Sequence, residues 1–169
     1  DALEHWRKTA VHGAALQNGW LKALMAYSTA HPALAKELER RLKGELPAGW
    51  EDALPTFTAK DGSVATRSAS GKVLNAVGPK IPELIGGSAD LAGSTNTIMK
   101  DAGHFSADDY RGRNFHYGIR EHGMGSVMNG MALHGGVIPY GATFLVFTDY
   151  CRPSIRLSAL MRQRVTPAG

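Results

Sequence analysis

The chain has 169 residues, 43% of them hydrophobic, which is enough to bury one sizeable core. Its formal net charge of +4 comes from Lys and Arg residues spread along the chain, whereas nucleic-acid binding usually shows a clustered basic face. No apolar run approaches the roughly 18 residues of a membrane helix, and the first residues are acidic where a secretory leader has a basic start. Only Cys151 is available, so no internal disulfide can form. Composition therefore predicts a soluble, cytoplasmic protein with neither nucleic-acid nor membrane partners.

Two helices are predicted at the start of the chain. Apolar residues recur at three- and four-residue spacings from Gly13 to Ala30, which is typical of an amphipathic helix. The second helix begins after His31 with Pro32 in its first turn, repeats leucine every four residues and ends near Gly44.

A linker follows these helices. From Glu45 to Ser63, prolines and glycines interrupt any periodicity. We therefore expect a domain boundary near Pro55. Residues 1–54 are predicted to be the helical tail of a preceding domain with its linker, and residues 55–169 to form a second domain.

Helical and strand signals alternate after the linker. Thr66 is suited to cap a helix that buries Val77 together with Val73 and Leu74. Strands are predicted at 83–87, 114–117 and 137–140, and helices at about 119–134 and in a last segment reaching Arg164. This alternation requires crossover connections and predicts an α/β fold, a parallel sheet with helices on both faces. Ligands of such sheets bind beyond the carboxyl ends of the strands, which selects the loops 88–97, 118–121 and 141–150.

The loop after the first strand combines small residues with polar ones. Its glycines let the backbone approach a ligand, and Asp90, Ser94 and Asn96 offer polar contacts. The same residue types dominate turns for purely local reasons, so an ordinary turn-rich loop is the alternative.

The other two loops also allow two interpretations. Glu121 lies in the first turn of a predicted helix, where a carboxylate either serves a site or caps the helix. Phe144, Phe147 and Tyr150 recur every three residues, which is typical of a core stripe as well as of an aromatic pocket.

Four ordered segments resemble a known family. They are ATRSASGKVLN, GGSADLAGSTNT, NFHYGIREHGMGSVMNGMALHGG and PYGATFLVFTDYCRPSIRLSALM. In order and separation they resemble the pyrimidine-binding domain of transketolases, which depend on thiamine diphosphate. The resemblance covers nearly everything from Val64 to Arg164, and the helices before the linker resemble the end of the family's diphosphate-binding domain.

The resemblance implies roles for individual residues. Glu121 matches the glutamate that hydrogen-bonds the aminopyrimidine ring of the cofactor. A shared proton there stabilises the imino tautomer, whose nitrogen can deprotonate the thiazolium carbon. Arg67 and Ser94 match residues that bind the phosphate of sugar-phosphate substrates. The remaining cofactor-binding positions are Phe147, Phe144, Tyr150, Asp90 and Ile119.

The activity implied is the transfer of a two-carbon ketol unit from a ketose phosphate to an aldose phosphate through a thiamine-diphosphate ylide, in the pentose phosphate pathway or the Calvin cycle. The family binds Mg²⁺ or Ca²⁺ through a Gly-Asp-Gly loop and a downstream Asn, a pair that this sequence lacks. We therefore expect no metal ligands in this chain, which would be a fragment carrying half of a cofactor site. The resemblance implies that another subunit of a homodimer completes the site.

Two other functions are alternatives to transketolase activity. One is a sister ketol-transferring enzyme, a dihydroxyacetone or deoxyxylulose phosphate synthase; residues 118–123 favour transketolase over the latter. The other is a non-catalytic dimerisation module, which would need none of the implied site residues. His122 stands where the family often has Phe and predicts a variant wall of the site. The other histidines show no metal-ligand spacing, and Cys151 is expected to be structural.

Overall fold

The amino-terminal unit, Asp1–Lys43, consists of helices α1 (Ala2–Ala30) and α2 (Pro32–Leu42). In this computed structural model the backbone is described for residues 1–168 and the side chains for residues 1–165. The final residue of the predicted second domain therefore lies outside the described residues.

Helix α1 begins well before the predicted Gly13. Asp1 caps it, because its carboxylate accepts a hydrogen bond from the Leu3 amide at 3.1 Å. Only Leu3, Trp6 and Val11 are large apolar residues before Gly13, too few for periodicity to locate this part of the helix. Helix α2 agrees with its prediction: Pro32 occupies its first turn, and it ends at Leu42.

The second unit, Gly44–Gly169, contains the sheet. Its first part, predicted as linker, holds two short 3₁₀ helices at Trp50–Ala53 and Ala59–Asp61. The elements that follow are α3 (Thr66–Val77), β1 (Leu84–Ser88), α4 (Ala92–Thr95), β2 (Asn114–His116), α5 (Glu121–His134), β3 (Ile138–Ala142), a 3₁₀ helix (Leu145–Phe147), α6 (Thr148–Leu160) and β4 (Thr166–Ala168).

All four strands are parallel, in the order β2-β1-β3-β4. Neighbouring residues of a strand face opposite sides of a sheet, and Tyr140 and Gly141 of β3 show what lies on each side. Tyr140 packs in a cluster with Val77 of α3. A Cβ on Gly141 would instead meet the sulfur atoms of Met124 and Met128 in α5. Helices therefore cover both faces, and the predicted α/β fold is confirmed.

Several boundaries differ from the sequence-based expectations. Thr66 does not cap α3; it is the first residue of the helix, and Ala65 stands at the N-cap without a side-chain cap bond. The last helix ends at Leu160, because Arg162 adopts a positive φ of 54° and the chain turns there. Strand β4 was not predicted, since it is three residues long and contains a proline.

Gly87 offers a test of how tightly the sheet is built. In β1, between two strands, a Cβ on Gly87 would meet the backbone oxygen of Phe115 in β2. We expect Gly87→Ala to lower the free energy of unfolding by about 3 kcal/mol, because backbone atoms of a paired strand must move. The matched control is Gly130→Ala in α5, where nothing lies within 4 Å; it should stabilise by about 0.5–1 kcal/mol. Equal effects in urea denaturation would contradict this account.

Candidate functional site

A cavity of about 640 Å³ opens at the carboxyl edge of the sheet. It is formed by the turn after β1, the turn leading into α5 and the start of α6, so it involves all three loops selected from the sequence. Its lining residues are Ala89, Asp90, Leu91, Ile119, Arg120, Glu121, His122, Gly123, Phe147 and Tyr150.

Glu121 is the buried carboxylate of this cavity. It is the first residue of α5 and is only 8% exposed. The N-cap residue is Arg120, and α5 has no side-chain cap hydrogen bond. Among the side chains of residues 1–165 and the backbone amides of residues 1–168, no donor hydrogen-bonds the Glu121 carboxylate. The capping alternative therefore rests on the helix dipole alone, since Glu121 is the acidic residue of the first turn. The carboxylate itself remains available to a ligand.

The turn that carries Asp90 is held by Ser88 at the end of β1. The Ser88 hydroxyl donates to the Ala142 carbonyl at 2.9 Å and accepts from the Leu91 amide at 3.2 Å. The Ala89 amide also donates to the Ala142 carbonyl, at 3.0 Å. These bonds fix the turn to β3 and leave Asp90 at a positive φ of 62°, on the cavity wall.

The three aromatic residues form a row in which Phe144 stacks on Phe147 and Tyr150 is tilted against Phe147. The ring centroids of Phe144 and Phe147 are 6.1 Å apart, and those of Phe147 and Tyr150 are 6.3 Å apart. Phe147 and Tyr150 line the cavity, whereas Phe144 supports Phe147 from behind. Tyr150 is 67% exposed. A row this exposed is not a core stripe, so the aromatic wall is the better description.

Five of the eight predicted site residues line the cavity, namely Asp90, Ile119, Glu121, Phe147 and Tyr150, and Phe144 adjoins it by stacking on Phe147. Arg67 at the start of α3 and Ser94 in α4 are exposed and line no part of this cavity. Their sequence neighbours Ser68 and Gly93 line a separate groove of about 760 Å³ between α3 and the loop around α4.

Sequence reasoning missed Arg120 as a lining residue and also missed a histidine pair. Nε2 of His116 lies 2.8 Å from Nδ1 of His104, so the two rings share a hydrogen bond. His104 lies in a loop that bridges to Asn114 of β2. No spacing rule joins residues twelve apart across an irregular loop, so only the fold could bring these rings together.

The remaining titratable and metal-ligating groups add little to the site. Burial raises the pKa of the Cys151 thiol, and the negative charge of the Glu121 carboxylate adds to this increase. This thiol, 4% exposed, is an unreactive packing residue.

The described part of the chain contains no cluster of three or more His, Cys, Asp or Glu side chains suited to a metal. Nor does any helix in residues 1–168 have the length and apolarity to cross a membrane.

Comparison with known proteins agrees with this geometry. Residues 62–168 match the family described as "Transketolase, pyrimidine binding domain", and residues 1–47 match "Transketolase, thiamine diphosphate binding domain". The transketolase of Geobacillus stearothermophilus is 52% identical over 162 residues, which is 95% of this chain and 24% of the relative. The Bacillus subtilis transketolase is 50% identical over 154 residues, 91% of this chain and 23% of the relative.

Solved structures show the same likeness. A transketolase from Pichia stipitis in complex with sedoheptulose-7-phosphate superposes with a TM-score of 0.88 at 43% identity, covering 93% of this chain and 24% of that one. The transketolase from Leishmania mexicana gives a TM-score of 0.85 at 40% identity, covering 91% and 23%.

The fold and cavity, together with these matches, define an α/β domain of the thiamine-diphosphate-binding class. Its sequence spans about a quarter of the length of the curated relatives it matches, 24% in the first case. The chain belongs to the transketolase family.

Proposed function

We propose that this chain supplies the pyrimidine side of a transketolase active site, in an enzyme that transfers a two-carbon ketol unit from a ketose phosphate to an aldose phosphate. One observation carries the proposal: the buried residue Glu121, whose carboxylate no donor among the described residues engages, faces the same cavity as the aromatic wall. A planar heterocycle with a ring nitrogen needs both features.

The residues fit the cofactor's pyrimidine end. Phe147 and Tyr150 offer flat apolar faces, Ile119 adds an aliphatic contact, and Glu121 can share a proton with a ring nitrogen. When bound, thiamine diphosphate supplies the carbon nucleophile and the electron sink for the cleavage of a carbon–carbon bond. The chain's own task is to orient the ring, exclude water from one face and hold a proton at the Glu121 carboxyl oxygen.

The substrate phosphate is assigned to Arg67 and Ser94. A guanidinium and a hydroxyl together suit a phosphate, and both side chains are exposed at the start of α3 and in α4. Solved structures similar to this chain support sugar phosphates as substrates, since they are described as complexes with sedoheptulose-7-phosphate, xylulose-5-phosphate and fructose-6-phosphate.

Further parts of the proposal concern what lies outside this sequence. We infer that Mg²⁺ or Ca²⁺ is held by ligands beyond these residues, because the sequence lacks the Gly-Asp-Gly loop. A homodimer would complete the site across its interface. The pentose phosphate pathway or the Calvin cycle, in the cytoplasm or in a plastid, is the proposed setting, since bacterial and chloroplastic relatives both match. The relatives' names favour transketolase over dihydroxyacetone synthase.

The proposed activity can be tested in a full-length carrier, the Geobacillus stearothermophilus relative in which this chain replaces its matching segment. We expect the carrier to transfer ketol units from xylulose 5-phosphate to ribose 5-phosphate, because the replaced segment is 52% identical. A folded, dimeric carrier that binds cofactor but shows no turnover would contradict the proposal. The unmodified relative is the control.

Arg67→Ala in the carrier should separate phosphate binding from chemistry. Loss of a charge-assisted contact is expected to raise KM for a phosphorylated donor about 10-fold or more, and to leave an unphosphorylated donor unaffected. Lys80→Ala is the matched control, because it removes an exposed positive charge near the other end of α3. Equal losses for both donors would place Arg67 in another role.

A further inference from the structure

The backbone turn between β2 and α5 determines where Glu121 points. At its start the Tyr117 amide donates to the Ser88 carbonyl at 3.2 Å, which ties the turn to β1. At its end the Arg120 amide donates to the Gly118 carbonyl at 2.8 Å, and the Met124 amide donates to the Arg120 carbonyl at 2.8 Å. The bond between Met124 and Arg120 belongs to the first turn of α5. The backbone turn and the start of the helix are therefore one connected unit.

The Arg120 side chain closes this turn. Its Nη1 donates to the Tyr117 carbonyl at 2.9 Å, so the guanidinium folds back over the turn while the side chain stays exposed. A Cβ on Gly118 would lie 2.5 Å from Nη1 and 3.5 Å from Cζ. The positive φ of 66° favours glycine at position 118, and an added Cβ would also displace the end of the Arg120 side chain from its place over the turn.

Glu121 depends on this turn because it has no anchor of its own. It follows Arg120 directly, and no donor in the described part of the chain hydrogen-bonds its carboxylate. The direction of its side chain is therefore set by the backbone of the turn and by packing. Small displacements matter in such sites, since a shift of about 1 Å can cost about 100-fold in rate.

We propose that Arg120 is a positioning residue that acts through Glu121: its guanidinium clamps the Tyr117 carbonyl and so fixes the first residue of α5, with Gly118 providing the space. The chemical consequence rests on the proposed function of Glu121; the clamp itself does not. The hydrogen bonds of the turn therefore test the clamp, and the reaction at the cofactor tests its chemical consequence.

The first experiment measures the clamp in the 169-residue chain. Arg120→Met should speed amide hydrogen exchange at Arg120 and Met124 about 10-fold, whereas Arg120→Lys, which keeps one donor for the Tyr117 carbonyl, should stay close to the parent protein. Arg156→Met, an exposed arginine of α6, is the control for loss of charge. Unchanged exchange in Arg120→Met would overturn the clamp.

A double-mutant cycle separates crowding from backbone strain. Gly118→Ala should cost much less stability in the Arg120→Met background, because the guanidinium that the Cβ would meet is gone. Gly135→Ala is the strain control, since Gly135 has a similar φ of 78° but nothing lies within 4 Å of its Cβ. Additive effects of the Gly118 and Arg120 changes would contradict the proposed contact.

The second experiment uses the full-length carrier loaded with thiamine diphosphate. Arg120→Met should lower kcat and proton exchange at the thiazolium carbon about 10- to 100-fold with the donor KM unchanged, and Arg120→Lys should restore most of the loss. A raised KM with normal kcat would show that Arg120 binds substrate, and would overturn the positioning role. If Glu121→Gln slows proton exchange but Arg120→Met does not, the positioning role of Arg120 is wrong and the proposed function of Glu121 still stands. If Glu121→Gln has no effect, the proposed function fails, and amide exchange still decides the clamp.

Discussion

Glu121→Gln in the full-length carrier is expected to slow proton exchange at the thiazolium carbon of bound thiamine diphosphate by about 10²–10⁴-fold. Glutamine keeps the size of the side chain but has no carboxyl proton to share with a ring nitrogen. The measurement is deuterium exchange at that carbon, followed by NMR. Glu83→Gln is the control, because Glu83 is also buried, at 4% exposure, but lies outside the cavity. Unchanged exchange in Glu121→Gln would remove Glu121 from the reaction.

Stability gives an independent reading of the same substitution. No donor among the described residues hydrogen-bonds the carboxylate, so replacing it with an amide of the same shape removes no contact within this chain and should leave the free energy of unfolding nearly unchanged. We expect a variant that folds as well as the parent protein and reacts far more slowly. A strongly destabilised Glu121→Gln would instead indicate a structural carboxylate.

The order of strands and helices was predictable because apolar periodicity changes between two and about 3.6 residues at the right places. Those signals located α2, the strands β1 to β3 and the helix after Glu121. They failed at the ends of the chain for physical reasons. Helix α1 begins at a capping residue and not at an apolar stripe. Strand β4 is too short, and too marked by Pro167, to be distinguished from a loop.

The cavity was predictable in part. Parallel topology brings the loops after β1, β2 and β3 to one edge, and this rule alone selected the segments that contain Asp90, Glu121 and Phe147. Local patterns could not choose between a cap and a site at Glu121, or between a core stripe and a wall at Phe147. Exposure and hydrogen-bond partners bear on both alternatives, and these exist only in three dimensions.

Side-chain contacts made within turns and across irregular loops could not be predicted from the sequence. The guanidinium of Arg120 turns back onto its own backbone, and the His104 and His116 rings meet across a loop. Arg67 and Ser94 raise a related point, because they lie on elements that do not line the aromatic cavity. On the proposed roles, the substrate's phosphate and the cofactor's pyrimidine ring contact different elements of this unit.

The 169-residue chain by itself is expected to bind thiamine diphosphate at least about 100-fold more weakly than the full-length carrier, a difference of about 2.7 kcal/mol. Its cavity offers contacts to a ring, whereas the diphosphate needs a cation, and the described residues contain no cluster of three metal-ligating side chains. Magnesium should therefore strengthen binding to the carrier and leave the chain alone unaffected.

Calorimetric titration with and without magnesium, beside a ketol-transfer assay, tests this expectation. The chain alone should show no turnover above the blank, and it should also self-associate, because Ile119, Leu145 and Tyr150 are 81%, 84% and 67% exposed around the cavity mouth and the adjoining turn. Sedimentation at several concentrations measures that association. Tight, magnesium-dependent binding by the chain alone would show that its own residues hold the diphosphate, and that the division of the site proposed above is wrong.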